Sequence, residues 1–86
     1  MNLTDLKYIL AVARERNFRR AAEKCFVTQP ALSISIQKLE AELGVQIFER
    51  SKTDIALTPM GVRIVEQAQR VLDEADKIKE LAKAGQ

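Results

Sequence analysis

The sequence predicts a mainly α-helical domain with three short helices, a two-stranded β-hairpin and one long C-terminal helix. Three observations predict it. Residues 17–43 hold two capped helical segments whose joint is too tight for an antiparallel pair. After Gly44 the apolar period shifts from helical spacing toward alternation, the mark of strands. From about Met60 to Ala84 an apolar repeat in steps of four and three continues without a break. Two short helices joined so closely cross steeply, the layout of a helix-turn-helix, and a two-stranded ribbon after such a unit is a wing. The fold class is a winged helix-turn-helix with a two-stranded wing and a long C-terminal helix. Residues 1–58 form the winged unit and residues 59–86 the helix.

Each element has a local cause. Asn2 caps the first helix, with Asp5 three residues on to answer it and to complement the helix dipole. Leu3, Leu6, Ile9, Leu10 and Ala13 fall at helical spacing, and Tyr8 and Val12 widen the stripe. Asn17 caps the second helix, whose Ala21, Ala22 and Cys25 form a face small enough for close helix contact. Phe26 and Val27 make the break. A helix-turn-helix joint calls for a left-handed backbone at this point, which an aromatic residue tolerates poorly, so Phe26 implies either strain or a different turn.

Thr28 caps the third helix, and Pro30 lies in its first turn, where a missing N–H costs no intrahelical bond. Leu32, Ser35, Ile36, Leu39 and Leu43 are its core face; Gln29, Pro30, Ser33, Ile34 and Gln37 point away from it. Gly44 supplies the left-handed C-terminal cap. Val45–Arg50 and Ile55–Leu57 read as strands around a polar turn, Ser51–Asp54. Thr58 and Pro59 then open the last helix with a cap and a first-turn proline.

On that helix Ile64, Ala68, Val71, Ala75, Ile78 and Ala82 form a heptad seam. About 25 residues of helix span roughly 37 Å, too long for a core this small to cover. A partner helix from a second copy of the chain is the expected cover; packing on its own domain alone is the alternative. The final residues, Lys83 to Gln86, read as the cut end of a linker.

Composition narrows the function. Net charge is only +2, but five bases, Arg14, Arg16, Arg19, Arg20 and Lys24, stand against Glu15 and Glu23 in one short run. The last 26 residues carry five bases and five acids and balance. Placed at the start of a helix-turn-helix, a basic run favours phosphate contact over a merely solvated face. There is no histidine and only one cysteine, so no metal site and no cofactor are expected. Nor does a glycine-rich phosphate loop or a nucleophile–base pair appear, and an enzyme is not expected. Asp5, Glu40 and Glu42 read as helix-surface charges. Cys25 reads as a buried structural thiol, with a reactive one as the alternative. No apolar run approaches the ~18 residues of a membrane span, and the first residues, Met1 to Tyr8, are not those of a signal peptide, so a cytoplasmic protein is expected.

The residues that make up these elements also match a family. The chain resembles the N-terminal DNA-binding domain of LysR-type transcriptional regulators over essentially its whole length. The match lies in Leu6, Phe18-Arg19-Arg20-Ala21-Ala22, Val27 through Ser33, Ile36, Lys38-Leu39-Glu40, Leu43-Gly44-Val45, Phe48-Glu49-Arg50 and Leu57 through Gly61. Phe18 through Ala22 and Glu40 through Gly44 make it most similar to the peroxide-responsive OxyR subgroup. The resemblance implies a winged helix-turn-helix followed by a dimerising linker helix, with a regulatory domain outside this chain. It implies a homodimer on pseudo-palindromic promoter DNA, a tetramer for the full-length chain, and activation or repression in response to a small molecule or oxidant.

Roles follow residue by residue. Gln29 can bond adenine bidentately and Pro30 can rest on a thymine methyl, at the end of the third helix that reaches base edges. The bland alternatives are a solvated first-turn glutamine and a helix-starting proline. Ser33, one turn on, is short enough to approach a base or phosphate. Ile34 is either a thymine-methyl contact or a solitary surface apolar residue; related regulators often carry polar or basic residues at Ile34 and Gln37. Arg19, Arg20, Thr28 and Lys38 are the expected phosphate contacts, with Glu23 as an alternative partner for Arg20. Arg50 and Lys52 stand at the wing, for phosphate or the minor groove, while Asp54 at its tip should repel phosphate. The rival reading is a protein-interaction winged helix that dimerises without specific DNA binding.

Overall fold

A computed structural model describes residues 1–51 and 54–86. The elements are α1 (Leu3–Glu15), α2 (Phe18–Lys24), α3 (Gln29–Leu43), β1 (Phe48–Arg50), β2 (Ile55–Leu57) and α4 (Pro59–Ala84). The two strands pair antiparallel, with Phe48 opposite Leu57 and Arg50 opposite Ile55.

The helix starts are those the capping residues predict. Asn2 Oδ1 accepts from Asp5 N at 2.8 Å, while Asp5 Oδ2 accepts from Asn2 N at 3.2 Å, a reciprocal capping box. Asn17 Oδ1 accepts from Arg20 N at 2.9 Å, and Thr28 Oγ1 accepts from Ala31 N at 3.3 Å. The joint between α2 and α3 resolves the question raised by Phe26. Phe26 N donates to Glu23 O at 3.2 Å and Val27 N to Ala22 O at 3.0 Å. That bond pair is a Schellman closure, which requires a left-handed residue after the C-cap, and Phe26 takes that place at φ 58°. The backbone is strained, and the ring, 94% exposed, gains no packing in return.

Helices α1, α2 and α3 enclose one core of Leu6, Ile9, Val12, Ala21, Ala22, Leu32, Ile36 and Leu39. Ile47, Phe48 and Ala68 close it from the wing and α4. Ala21 and Ala22 are buried, their small side chains letting α2 come close. Leu43, predicted in the core, is exposed, because it stands at the last turn where α3 leaves the core toward Gly44. Gly44 has φ 70° and donates its N–H to Glu40 O at 2.9 Å, the expected left-handed cap.

The first strand is shorter than its sequence suggests. Val45 N still donates to Glu40 O, as part of the α3 cap, and Ile47 and Phe48 give their N–H groups to the Glu40 side chain. With the Val45 and Ile47 donors spent, the ladder begins only at Phe48, opposite Leu57. Thr58 locks the other side of this segment. Its N–H donates to Ile47 O at 3.0 Å, its hydroxyl donates to Gln46 O at 2.6 Å, and the same Oγ1 accepts from Gly61 N at 2.8 Å. Gly61 is needed for a different reason from Gly44: a Cβ there would lie 2.0 Å from Ile47 O.

α4 divides into two halves. Its N-terminal half packs on the domain, with Ile64, Val65 and Leu72 against the core. Two residues expected on the partner-facing seam thus serve this domain instead: half-buried Ile64 packs against its core, and Ala68, 3% exposed, belongs to it; the Ala68 methyl lets α4 approach α1. Arg14 Nη2 donates to Gln69 Oε1 at 3.3 Å across the same junction. Beyond Leu72 every residue is exposed except the half-buried Ala75. The domain is accordingly elongated, 50 × 25 × 20 Å. Among the described residues no helix is long and apolar enough to cross a membrane.

Candidate nucleic-acid interface

The outer face of α3 is the surface that the sequence predicts. Gln29, Pro30, Ile34, Gln37 and Lys38 are all exposed and Ser33 is half-buried. Pro30 in the first turn and the Thr28 cap fix the backbone from which Gln29 projects. A rigid helix start with an exposed amide side chain is what base-edge reading needs. Ile34 is an exposed apolar residue on this otherwise polar face.

α2 contributes Arg19 and Arg20, both exposed. Sequence reasoning offered Glu23 to Arg20; the helix geometry gives it to Arg19, at 3.0 Å and four residues' spacing. The Arg20 guanidinium has no ion pair among the described residues. An exposed pair such as Arg19–Glu23 is weak, about 0–1 kcal/mol, and yields readily to phosphate.

The wing residue Arg50, expected at phosphate or the minor groove, also has partners within its own chain. Arg50 lies with its Cζ 5.0 Å from the centre of the Phe18 ring and its Nη2 3.8 Å from Glu40 Oε1. Phe18 in turn meets Phe48 edge to face at 6.2 Å between centroids. Arg50 therefore sits among intramolecular partners, and its visible role is to brace β1 against α2 and α3. Lys52, the other expected wing contact, lies outside the described residues.

Glu40 is the residue that sequence reasoning missed. It reads as a surface charge, yet its side chain is only 12% exposed. Oε2 accepts from Ile47 N at 2.8 Å and Phe48 N at 3.3 Å, while Oε1 faces Arg50. One carboxylate thus joins the helix bearing Gln29 to the first strand of the wing. The available signal was the acid one turn before a capping glycine, with a strand following. Arg16 and Asp54 also meet, with Nη2 3.4 Å from Oδ2, so the wing acid faces a cation of its own chain. Cys25 is half-buried at the end of α2, and burial pushes its thiol above the usual range.

Known proteins share this arrangement. Residues 3–62 match the family model described as bacterial regulatory helix-turn-helix protein, lysR family. A hydrogen peroxide-inducible genes activator from Pectobacterium carotovorum is 50% identical over 82 residues, covering 95% of this chain and 27% of that protein. The DNA-binding transcriptional dual regulator OxyR of Escherichia coli K12 is 49% identical over the same shares of the two chains. This chain therefore spans about a quarter of the length of these relatives. Among solved structures, a full-length OxyR variant from Pseudomonas aeruginosa superposes with a TM-score of 0.95 at 58% identity, over 100% of this chain and 29% of that one. The BenM DBD in complex with benA site 1 DNA gives 0.92 at 38% identity, over 98% and 94%. Both likenesses extend through the helix-turn-helix, the wing and α4. On this match of sequence and architecture, the chain belongs to the LysR family of bacterial regulatory helix-turn-helix proteins.

Proposed function

We propose that this chain is the DNA-reading part of a transcription regulator, binding double-stranded DNA sequence-specifically as a homodimer. The single observation that carries the reading is the polar outer face of α3, open from Gln29 to Lys38 and flanked by the cations of α2. In this reading α3 enters the major groove. Gln29, Pro30, Ser33 and Ile34 face bases, while Arg19, Arg20, Thr28 and Lys38 face phosphates. Arg50 acts on the wing's position more than on the DNA. Residues 1–58 are the reader and 59–86 the helix that joins two readers.

The dimer reading has its own support. Ile78 is 69% and Leu81 73% exposed on the free half of α4, with Val71 and Ala82 exposed and Ala75 half-buried beside them. Apolar side chains of that size along a projecting helix are stabilised by a second helix. A two-fold pair of readers requires an inverted-repeat site with half-sites on one face of the duplex. The likeness to peroxide-inducible activators favours oxidative-stress control by the whole protein, a tetramer acting in the bacterial cytoplasm where the chromosome lies.

Selection of bound duplexes from a random library tests the reading. The expected result is an inverted repeat, bound with an affinity that falls steeply with salt, the log–log slope gaining about 0.9 for each phosphate neutralised. A chain that dimerises but enriches no sequence is instead a protein-docking winged helix.

A further inference from the structure

Arg16 ends α1 in the left-handed region, at φ 53°, and its side chain reaches the wing. Nε donates to Ile55 O at 3.2 Å, and Nη2 lies 3.4 Å from Asp54 Oδ2. Asp54 holds its other oxygen on its own strand, Oδ1 accepting from Ile55 N at 2.9 Å. The ion pair borders an open groove of about 440 Å³, lined by Gln29 of α3, Ser51 and Asp54 of the wing, and Arg16, Asn17 and Arg19 of the α1–α2 junction. A backbone strand whose bases face Gln29 would run through this groove.

The pair is poorly made for stability. It is exposed, single-toothed and long, and such pairs contribute little. A phosphate presents several anionic oxygens to the planar guanidinium fork and can engage it bidentately, as this lone Asp54 oxygen does not. The Nε bond to Ile55 O meanwhile keeps the guanidinium at the groove when Asp54 is displaced.

We propose that Arg16 is a phosphate-binding residue which Asp54 occupies in the free protein, and that DNA exchanges the carboxylate for a backbone phosphate. Asp54 then sets the affinity and salt dependence of binding by competing with the duplex for one guanidinium. This rests on the DNA-binding reading above. It also gives the wing acid, an unfavourable charge on a phosphate-facing element, a physical role.

The test is a double-mutant cycle read by fluorescence anisotropy. The duplexes are a fluorescein-labelled one recovered by the wild-type chain from the library and a scrambled one of equal length, each at ~50 and ~200 mM salt. Asp54→Asn keeps the acceptor for Ile55 N, and Arg16→Asn keeps a residue tolerant of positive φ. The expected results are roughly five- to tenfold tighter binding by Asp54→Asn at low salt, and a slope shallower by about 0.9 in Arg16→Asn. In the Arg16→Asn background, Asp54→Asn should change affinity less than about twofold. An equal gain in both backgrounds overturns the exchange, because Asp54 then merely repels DNA. If a variant fails to fold, the Arg16 Nε–H resonance of the wild-type chain supplies the answer. It must shift as duplex is added, and a stationary resonance overturns the exchange. Wild-type protein that binds neither duplex removes the DNA reading itself, and this proposal with it.

Discussion

Glu40 on α3 and Arg50 on β1 face each other at 3.8 Å, while the second oxygen of Glu40 holds the N–H of Ile47 at 2.8 Å. Helix α3 and the wing are thus referred to one carboxylate, and the distance between them is set by its geometry. Replacing Glu40 by Ala removes the acceptor of two part-buried backbone donors beside the core, Ile47 N and Phe48 N. The expected loss is about 2 kcal/mol in a denaturant melt. DNA affinity should fall further than that of Glu40→Gln, which retains an acceptor oxygen.

Gly61 and Ile47 make the closest backbone approach in the fold that a side chain would forbid, a Cβ at Gly61 meeting Ile47 O at 2.0 Å. Neither partner is a flexible side chain, so Gly61→Ala must push the segment before β1 off α4. The expected destabilisation is about 3 kcal/mol, despite alanine's better helix propensity. Thermal unfolding followed by circular dichroism reads it directly. An unchanged midpoint would mean that the wing is not seated against α4 as described.

Phe26 supplies the converse case, since its left-handed backbone is strained and its ring touches almost nothing. Phe26→Gly should stabilise the domain by about 1 kcal/mol. For a chain of this size that raises the melting temperature by roughly 4–8 °C. A drop in stability would show that the ring has a partner within the folded chain.

Cys25 is shielded by burial, which pushes its thiol up. A higher pKa in the folded than in the unfolded chain means that the native state holds the proton more tightly. The resulting stability is complete at pH values below the unfolded thiol's pKa and is lost as pH rises through the folded one. Alkylation of Cys25 at neutral pH should therefore be slower in the folded chain than in urea, and should accelerate as pH rises. Equal rates in both states would refute the shielding.

Gln29 and Lys38 sit on the same open face of α3 with different expected roles. Gln29→Ala should relax preference at one base position by about 1–3 kcal/mol. Lys38→Ala should weaken all duplexes alike and lower the salt slope by about 0.9. Competition binding against single-base variants of the selected site separates the two. Full sequence preference in Gln29→Ala would remove that residue from the reading surface.

Much of this molecule was legible before any coordinates. Asn2, Asn17 and Thr28 start helices by bonding to N–H groups three residues on, an interaction contained within one turn of chain. Gly44 ends α3 for an equally local reason. The exposed face of α3 follows from its period alone, and with it the candidate reading residues. The strand start at Phe48 was not legible, because the donor before it, Ile47 N, is spent on a side chain seven residues away.

Sequence by itself determined the helices, the break at Phe26, the wing and the outward surface of α3, since each depends on neighbours within a few residues. Tertiary structure alone decided that Glu40 turns inward, that Arg50 braces the wing, that Arg16 reaches Asp54, and that Ala68 serves its own core. Those contacts join residues brought together by how α1, α3 and α4 pack. A charge or a methyl group has no direction in a sequence until that packing places a partner beside it.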